Sequence, residues 1–95
     1  MNGREAQVED VLALSKEMRE QARAGRWDRV QEFQSRRWGL LRGGLPAGLS
    51  VAEMEEILVL DLEVEQLAQR AKAETADELR HLHQGRQAQR AYGGS

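Results

Sequence analysis

The side chains able to do chemistry in this sequence are few, and their spacing argues against a reaction centre. His81 and His83 are the only histidines. Two positions apart on a helix, they point to different sides, whereas a chelating pair wants i,i+3 or i,i+4 spacing. Asp77 and His81 are correctly spaced for a hydrogen bond. No Ser or Cys nucleophile is placed with them, and two members of a triad on one exposed helix are not a triad. The absence of cysteine excludes disulfides and thiolate-bound metals. The many carboxylates fall on helical surfaces with no pocket implied, so they read as solvated charges rather than acid–base pairs. Gly43-Gly44-Leu45-Pro46-Ala47-Gly48 is glycine-rich, but it lacks the Lys-Ser/Thr pair and the preceding strand of a phosphate loop, and it reads as a turn. No catalytic residue, cofactor or metal ligand is assigned, and the chain is expected not to be an enzyme.

The chemistry therefore has to come from surfaces, and the elements that carry them are helical. The 95 residues make one domain, at the small end of what folds alone. Few residues are β-branched or aromatic, and the single Pro lies in the turn. The spacing predicts helices over about 5–24, 27–42 and 51–84, followed by a tail at 86–95. In the first helix Val8, Val11, Leu12, Met18 and Ala22 share a stripe in which the small Ser15 fills the gap. Asn2 with Glu5 is the expected cap, and Gly25 has the usual place of a C-terminal stop. In the second helix Trp27, Val30, Gln34, Trp38 and Leu41 share a stripe, with Phe33, Arg37 and Leu40 beside it, and both tryptophans are expected in the core. Ser50 and Glu53 form a capping box for the third helix, with Leu49 and Met54 as its hydrophobic staple. Gly85 is expected to weaken that helix, and Gly93-Gly94-Ser95 to be frayed. The expected fold is all-α: an antiparallel three-helix bundle with a long third helix and a short C-terminal tail or fourth helix.

The third helix is the most informative element. At about nine turns and roughly 50 Å it outreaches the first two, about 30 Å and 24 Å long at ~1.5 Å per residue. Its seam of Ile57, Leu60, Val64, Leu67 and Ala71 thins towards Leu79 and Leu82, and a second row, Val51, Met54, Leu58, Leu62 and Ala68, widens the stripe. Its first half is acidic, and after Glu78 only basic charge follows, at Arg80, Arg86 and Arg90. That gradient suits the helix dipole. Leu60, Val64, Leu67, Leu79, Leu82 and Tyr92 are the candidate partner-binding residues, since apolar side chains beyond the reach of the other helices need cover. Either Leu67→Asp or Leu79→Asp is expected to abolish partner binding while helix content survives. A net charge of −2 gives no general attraction to nucleic acid. The first residues carry no signal-peptide core and no apolar run approaches ~20 residues, so a cytoplasmic location without membrane insertion is expected. A homodimer or helical adaptor, its overhanging helices paired with each other, is the alternative reading.

One pattern goes further. Gly25-Arg26-Trp27-Asp28 opens a short helix with Arg36-Arg37 and Leu40-Leu41. A Gly/Pro loop follows, then a long helix with Ile57 to Leu67, and then Gly85-Arg86-Gln87-Ala88 and Ala91-Tyr92-Gly93. Across nearly the whole chain this resembles the FliT-type flagellar export chaperones. The resemblance implies a bacterial cytoplasmic chaperone that binds the C-terminal segment of the filament-cap protein before type III export. It also implies contacts with the export ATPase and export gate and, in some bacteria, with the master flagellar transcription activator. The family's fourth helix folds back over the third. Here the sequence stops three residues after Tyr92, so a covering helix is expected to be short or missing and the third-helix surface more open.

Overall fold

Three helices, joined by one tight turn and one loop, form a rod 76 Å long and about 20 Å across. The computed structural model describes the backbone of residues 3–93 and the side chains of residues 7–90. The expected Asn2–Glu5 cap, the Tyr92 side chain and the end at Gly94-Ser95 lie outside the described residues. Helix α1 spans Gly3–Arg23, α2 Trp27–Leu41 and α3 Val51–Gly93. The fold is an all-α three-helix bundle in which α2 runs antiparallel to its two neighbours. Helix α1 packs closely against both, whereas no Cα of α2 comes within 8 Å of a Cα of α3 among the described residues.

Local chemistry sets each boundary. Gly25 ends α1 at φ +72°, a left-handed conformation that costs a residue without a Cβ nothing. The Arg26 N–H donates to the Gln21 carbonyl at 2.9 Å and the Gly25 N–H to that of Ala22 at 3.0 Å. These two bonds are the Schellman closure, and they satisfy carbonyls the helix end would otherwise leave open. Helix α2 starts without a side-chain cap; the N–H groups of Arg29 and Val30 donate to the Arg26 carbonyl, each at 3.1 Å. The loop turns through Gly44 and Gly48, both at positive φ, around a buried Pro46.

The α3 capping box is formed as expected. The Glu53 N–H donates to Ser50 Oγ at 3.1 Å, and the Ser50 N–H donates to Glu53 Oε1 at 2.9 Å. The bond from the Ser50 N–H, and after it the Ser50 hydroxyl, hold the Glu53 carboxyl below its ordinary value of 4.5. A carboxyl depressed in the folded state contributes stability above its unfolded pKa and loses it as pH falls through the lower folded value. Glu53→Gln is therefore less stable than the parent at pH 7. The difference between the two should shrink to nothing as pH falls below that range, as urea midpoints across pH 3–7 would record.

The spacing predicts that α3 ends near Gln84 and that a short tail or fourth helix follows. The helix instead runs unbroken through Gly85 to Gly93. One interior glycine costs a helix only about 1 kcal/mol, and Gln84, Arg86, Gln87 and Ala88 on either side are good helix formers. A Cβ built on Gly85 meets nothing within 4 Å. Gly85→Ala should therefore slow amide exchange across residues 84–88 severalfold, consistent with ~0.5–1 kcal/mol of helix stabilisation.

The core is small and belongs mostly to α1. Val8, Val11, Ser15, Met18 and Ala22 are buried on its one stripe, against Val30 of α2 and Leu60 of α3. Trp27, Phe33, Val64 and Leu67 close over the Met18–Ala22–Val30 cluster. Trp38 departs from expectation: it is 68% exposed. Helix α2 turns its Val30–Phe33–Arg37 row inward instead, because Arg37 reaches across to the other two helices and so carries Trp38 to the outside.

Candidate interaction surface

A polar clamp joins the three helices where the backbones of α2 and α3 stay apart. Arg37 Nη1 donates to Ser15 Oγ at 3.0 Å and to Asp61 Oδ1 at 2.6 Å. Ser15 in turn donates to the Val11 carbonyl at 2.8 Å. The Arg37 side chain is only 13% exposed and that of Asp61 39%. Buried polar groups are tolerated when every partner is present, and this set closes on itself. On the other side of α1, Lys16 lies 3.6 Å from Glu56, and Arg23 binds Glu63 at 2.7 Å. The hydrogen bond that Arg23 donates to the Glu63 carboxylate raises the guanidinium above its ordinary value. Arg19 Nε also faces Glu63, at 3.6 Å. From the Lys16–Glu56 pair to the Arg23–Glu63 pair each helix advances seven residues, so the two pairs fix α1 and α3 in parallel register. The acidic first half of α3 thus does more than suit the dipole: three of its carboxylates face cations of the other two helices.

Above the clamp lies an apolar cleft of about 300 Å³. Leu41, Leu45, Pro46, Leu49, Met54, Ile57 and Leu58 form its walls, and Val11, Arg37 and Asp61 its floor. Leu45 and Leu58 are 65% and 60% exposed. Sequence reasoning did not single out this cleft, because its wall draws on the turn as well as on the helices. The available signal was the apolar content of that turn, Leu45-Pro46 and Leu49.

Beyond Ala71 every described side chain of α3 is exposed, so about 30 Å of helix projects past the bundle. The six residues proposed from the sequence divide along this line. Leu60 is 4% exposed; it faces α1 and is not available to a partner, because the α1 stripe seals it. Val64 and Leu67 are half-buried against the Met18–Ala22–Val30 cluster. Leu79 and Leu82 stand 61% and 62% exposed on the projecting segment. The backbone of Tyr92 continues α3. On the same segment Asp77 pairs with Arg80 rather than His81, and His83 Nε2 lies 3.2 Å from Gln87 Nε2. Among the described residues no cluster of three His, Cys, Asp or Glu side chains could hold a metal, and no helix is long and apolar enough to cross a membrane.

The molecule is a small helical bundle in which one helix projects far past the core and carries the exposed Leu79 and Leu82. The family model described as Flagellar protein FliT matches residues 5–94, nearly the whole chain. The chain belongs to the FliT family, a family of flagellar export chaperones. Comparison with curated proteins and with solved structures gives no match.

Proposed function

We propose that this chain is a cytoplasmic chaperone of the filament-cap protein, holding that client's C-terminal segment along the projecting part of α3 until export. The observation that carries the reading is the uncovered run 72–90, on which Leu79 and Leu82 continue the seam that α1 covers at Leu60, Val64 and Leu67. A disordered client segment that folds into a helix on this face extends the bundle, and the apolar area it buries offsets its ordering entropy. Val64 and Leu67 form the proximal edge of the site, Leu79 and Leu82 its centre, and Tyr92 its distal end.

The export ATPase and the export gate are then later partners of the loaded chaperone. The master flagellar transcription activator is a competitor for the same face, which would regulate gene expression by sequestration rather than by DNA contact. Calorimetric titration of the chain with a peptide of the cap protein's C-terminal segment tests the proposal. Saturable binding with a negative heat-capacity change, the mark of apolar burial, is expected; absence of binding at high micromolar concentration would refute it.

A further inference from the structure

Trp38 is the largest apolar side chain left exposed among the described residues. It stands on the outer face of α2, where Gln31, Gln34, Ser35, Trp38, Leu41 and Arg42 line a shallow hollow of about 610 Å³. The charge of this face is one-sided. No Asp or Glu occurs between Glu32 and Glu53, whereas Arg36, Arg37 and Arg42 do. Asp61 engages Arg37. Glu32 is shared by Arg29, at 3.5 Å, and Arg36, at 3.1 Å, so one carboxylate is set against two guanidinium groups. Arg42, one turn past Trp38, is exposed and joins no ion pair among the described residues. Gly39 beside Trp38 is exposed too, and a Cβ built on it meets nothing within 4 Å. Packing inside the chain therefore gives no reason for a glycine that weakens the helix interior, whereas a second backbone lying close beside Trp38 gives one.

We propose that this face of α2 is a docking site for an acidic amphipathic helix of a second protein, separate from the client. The apolar row of that helix packs on Trp38 and Leu41, and the carboxylates flanking the row face Arg36 and Arg42. Trp and Arg are the side chains that most often anchor an interface, and a guanidinium takes a carboxylate through two parallel hydrogen bonds. The excess of cations over carboxylates on this face selects an acidic partner over a basic one. A single-stranded nucleic acid would also use an aromatic face, but it needs a groove of uncompensated cations along its phosphates. Here Arg36 and Arg37 are already engaged, and the chain as a whole is at −2. The bond from Arg37 to Asp61 sets Trp38 at the level of Asp61 on α3. Leu79 lies roughly 27 Å further along that helix at ~1.5 Å per residue. The two faces do not overlap, so one chain holds a client and the second protein at the same time.

The indole N–H resonance of Trp38 in the full isotope-labelled chain reads the site directly, with Trp38→Phe to assign it against Trp27. The probes are a helical peptide of about 20 residues built from Leu, Ala and Glu, and its counterpart with every Glu replaced by Lys. The acidic peptide should move the Trp38 signal saturably, and the basic one should not. By anisotropy of labelled peptide, Trp38→Ala should weaken acidic-peptide binding about tenfold or more. Arg42→Glu should weaken it similarly and confer binding of the basic peptide. Both side chains are exposed, so circular dichroism should match the parent. Leu79→Asp should bind the acidic peptide as the parent does, and Trp38→Ala should take up the cap-protein peptide as the parent does, so failure at one face is distinguishable from failure at the other. No response at millimolar peptide, equal response to the two peptides, or shifts confined to 72–90 would each overturn the proposal. So would loss of the cap-protein peptide by Trp38→Ala, which would make this face part of the client site. A Trp38 signal that moves with chain concentration alone would assign the face to a second copy, and one that answers a single-stranded oligonucleotide but not the acidic peptide would assign it to nucleic acid; either result overturns the proposal.

Discussion

Leu79→Asp is expected to abolish capture of the cap-protein segment while leaving the fold intact. Covering a leucine of this exposure contributes about 1.5–3 kcal/mol, and each ~1.4 kcal/mol is tenfold in affinity. Loss of one leucine therefore weakens binding about 10- to 100-fold, and an aspartate in its place adds the cost of burying an unpaired charge. Leu82→Asp should do the same. Both residues project beyond the bundle, so far-ultraviolet circular dichroism and the urea midpoint should match the parent. Leu67→Asp gives no such clean result, contrary to what the sequence implied. Leu67 packs on the Met18–Ala22–Val30 cluster, so a charge there attacks the core as well as the site. A Leu79→Asp chain that binds the peptide with parental affinity would show that the client sits elsewhere, with the apolar cleft around Leu45 and Leu58 the next surface to examine.

Arg37→Ala is expected to be the most destabilising exchange of a charged side chain. Arg37 is the one group bridging Ser15 of α1 and Asp61 of α3 from α2, where the backbones of α2 and α3 do not approach closely. Removing one member of a buried ion pair costs about 3–5 kcal/mol. Asp61 keeps partial access to water, which lowers the expectation to about 2–3 kcal/mol. For a domain of this size each kcal/mol shifts the melting temperature by about 4–8 °C, so a fall of roughly 10–20 °C should be seen. Replacing both partners, Arg37→Met with Asp61→Leu, leaves no stranded charge and should recover most of the loss. A double-mutant cycle by urea unfolding measures the coupling. Additive losses with no coupling would mean that the clamp is not what holds α2 to α3.

Much of the fold was legible because its boundaries are written locally. Gly25, the Gly/Pro turn and the Ser50–Glu53 box each act through a few neighbouring residues, so a sequence pattern is enough to find them. The α1 stripe was equally plain, down to Ser15 in its gap, because a helix packed on both sides shows a broad apolar face. What escaped depends on three helices meeting. Arg37 reads as a polar residue beside an apolar row, and only the positions of Ser15 and Asp61 reveal that it belongs inside. Once it turns in, Trp38 must turn out. Leu60 and Leu79 look alike as members of one heptad seam, and the difference between core and overhang is set by where α1 ends. Gly85 misled in the opposite direction: a local helix breaker was outweighed by the helix formers on both sides of it. Glu56, Asp61 and Glu63 read as a dipole-friendly cluster, yet each has a cation of α1 or α2 within 4.0 Å.

Hydrogen exchange of the chain with and without the cap-protein C-terminal peptide is the most direct measurement of where a client sits. The amides of residues 72–90 should exchange fast in the free chain, since no other helix covers them, and should slow markedly on peptide addition, together with those around Val64 and Leu67. Protection confined to the turn and the first turns of α3, with 72–90 unchanged, would contradict the assignment of the projecting helix as the site that receives the client.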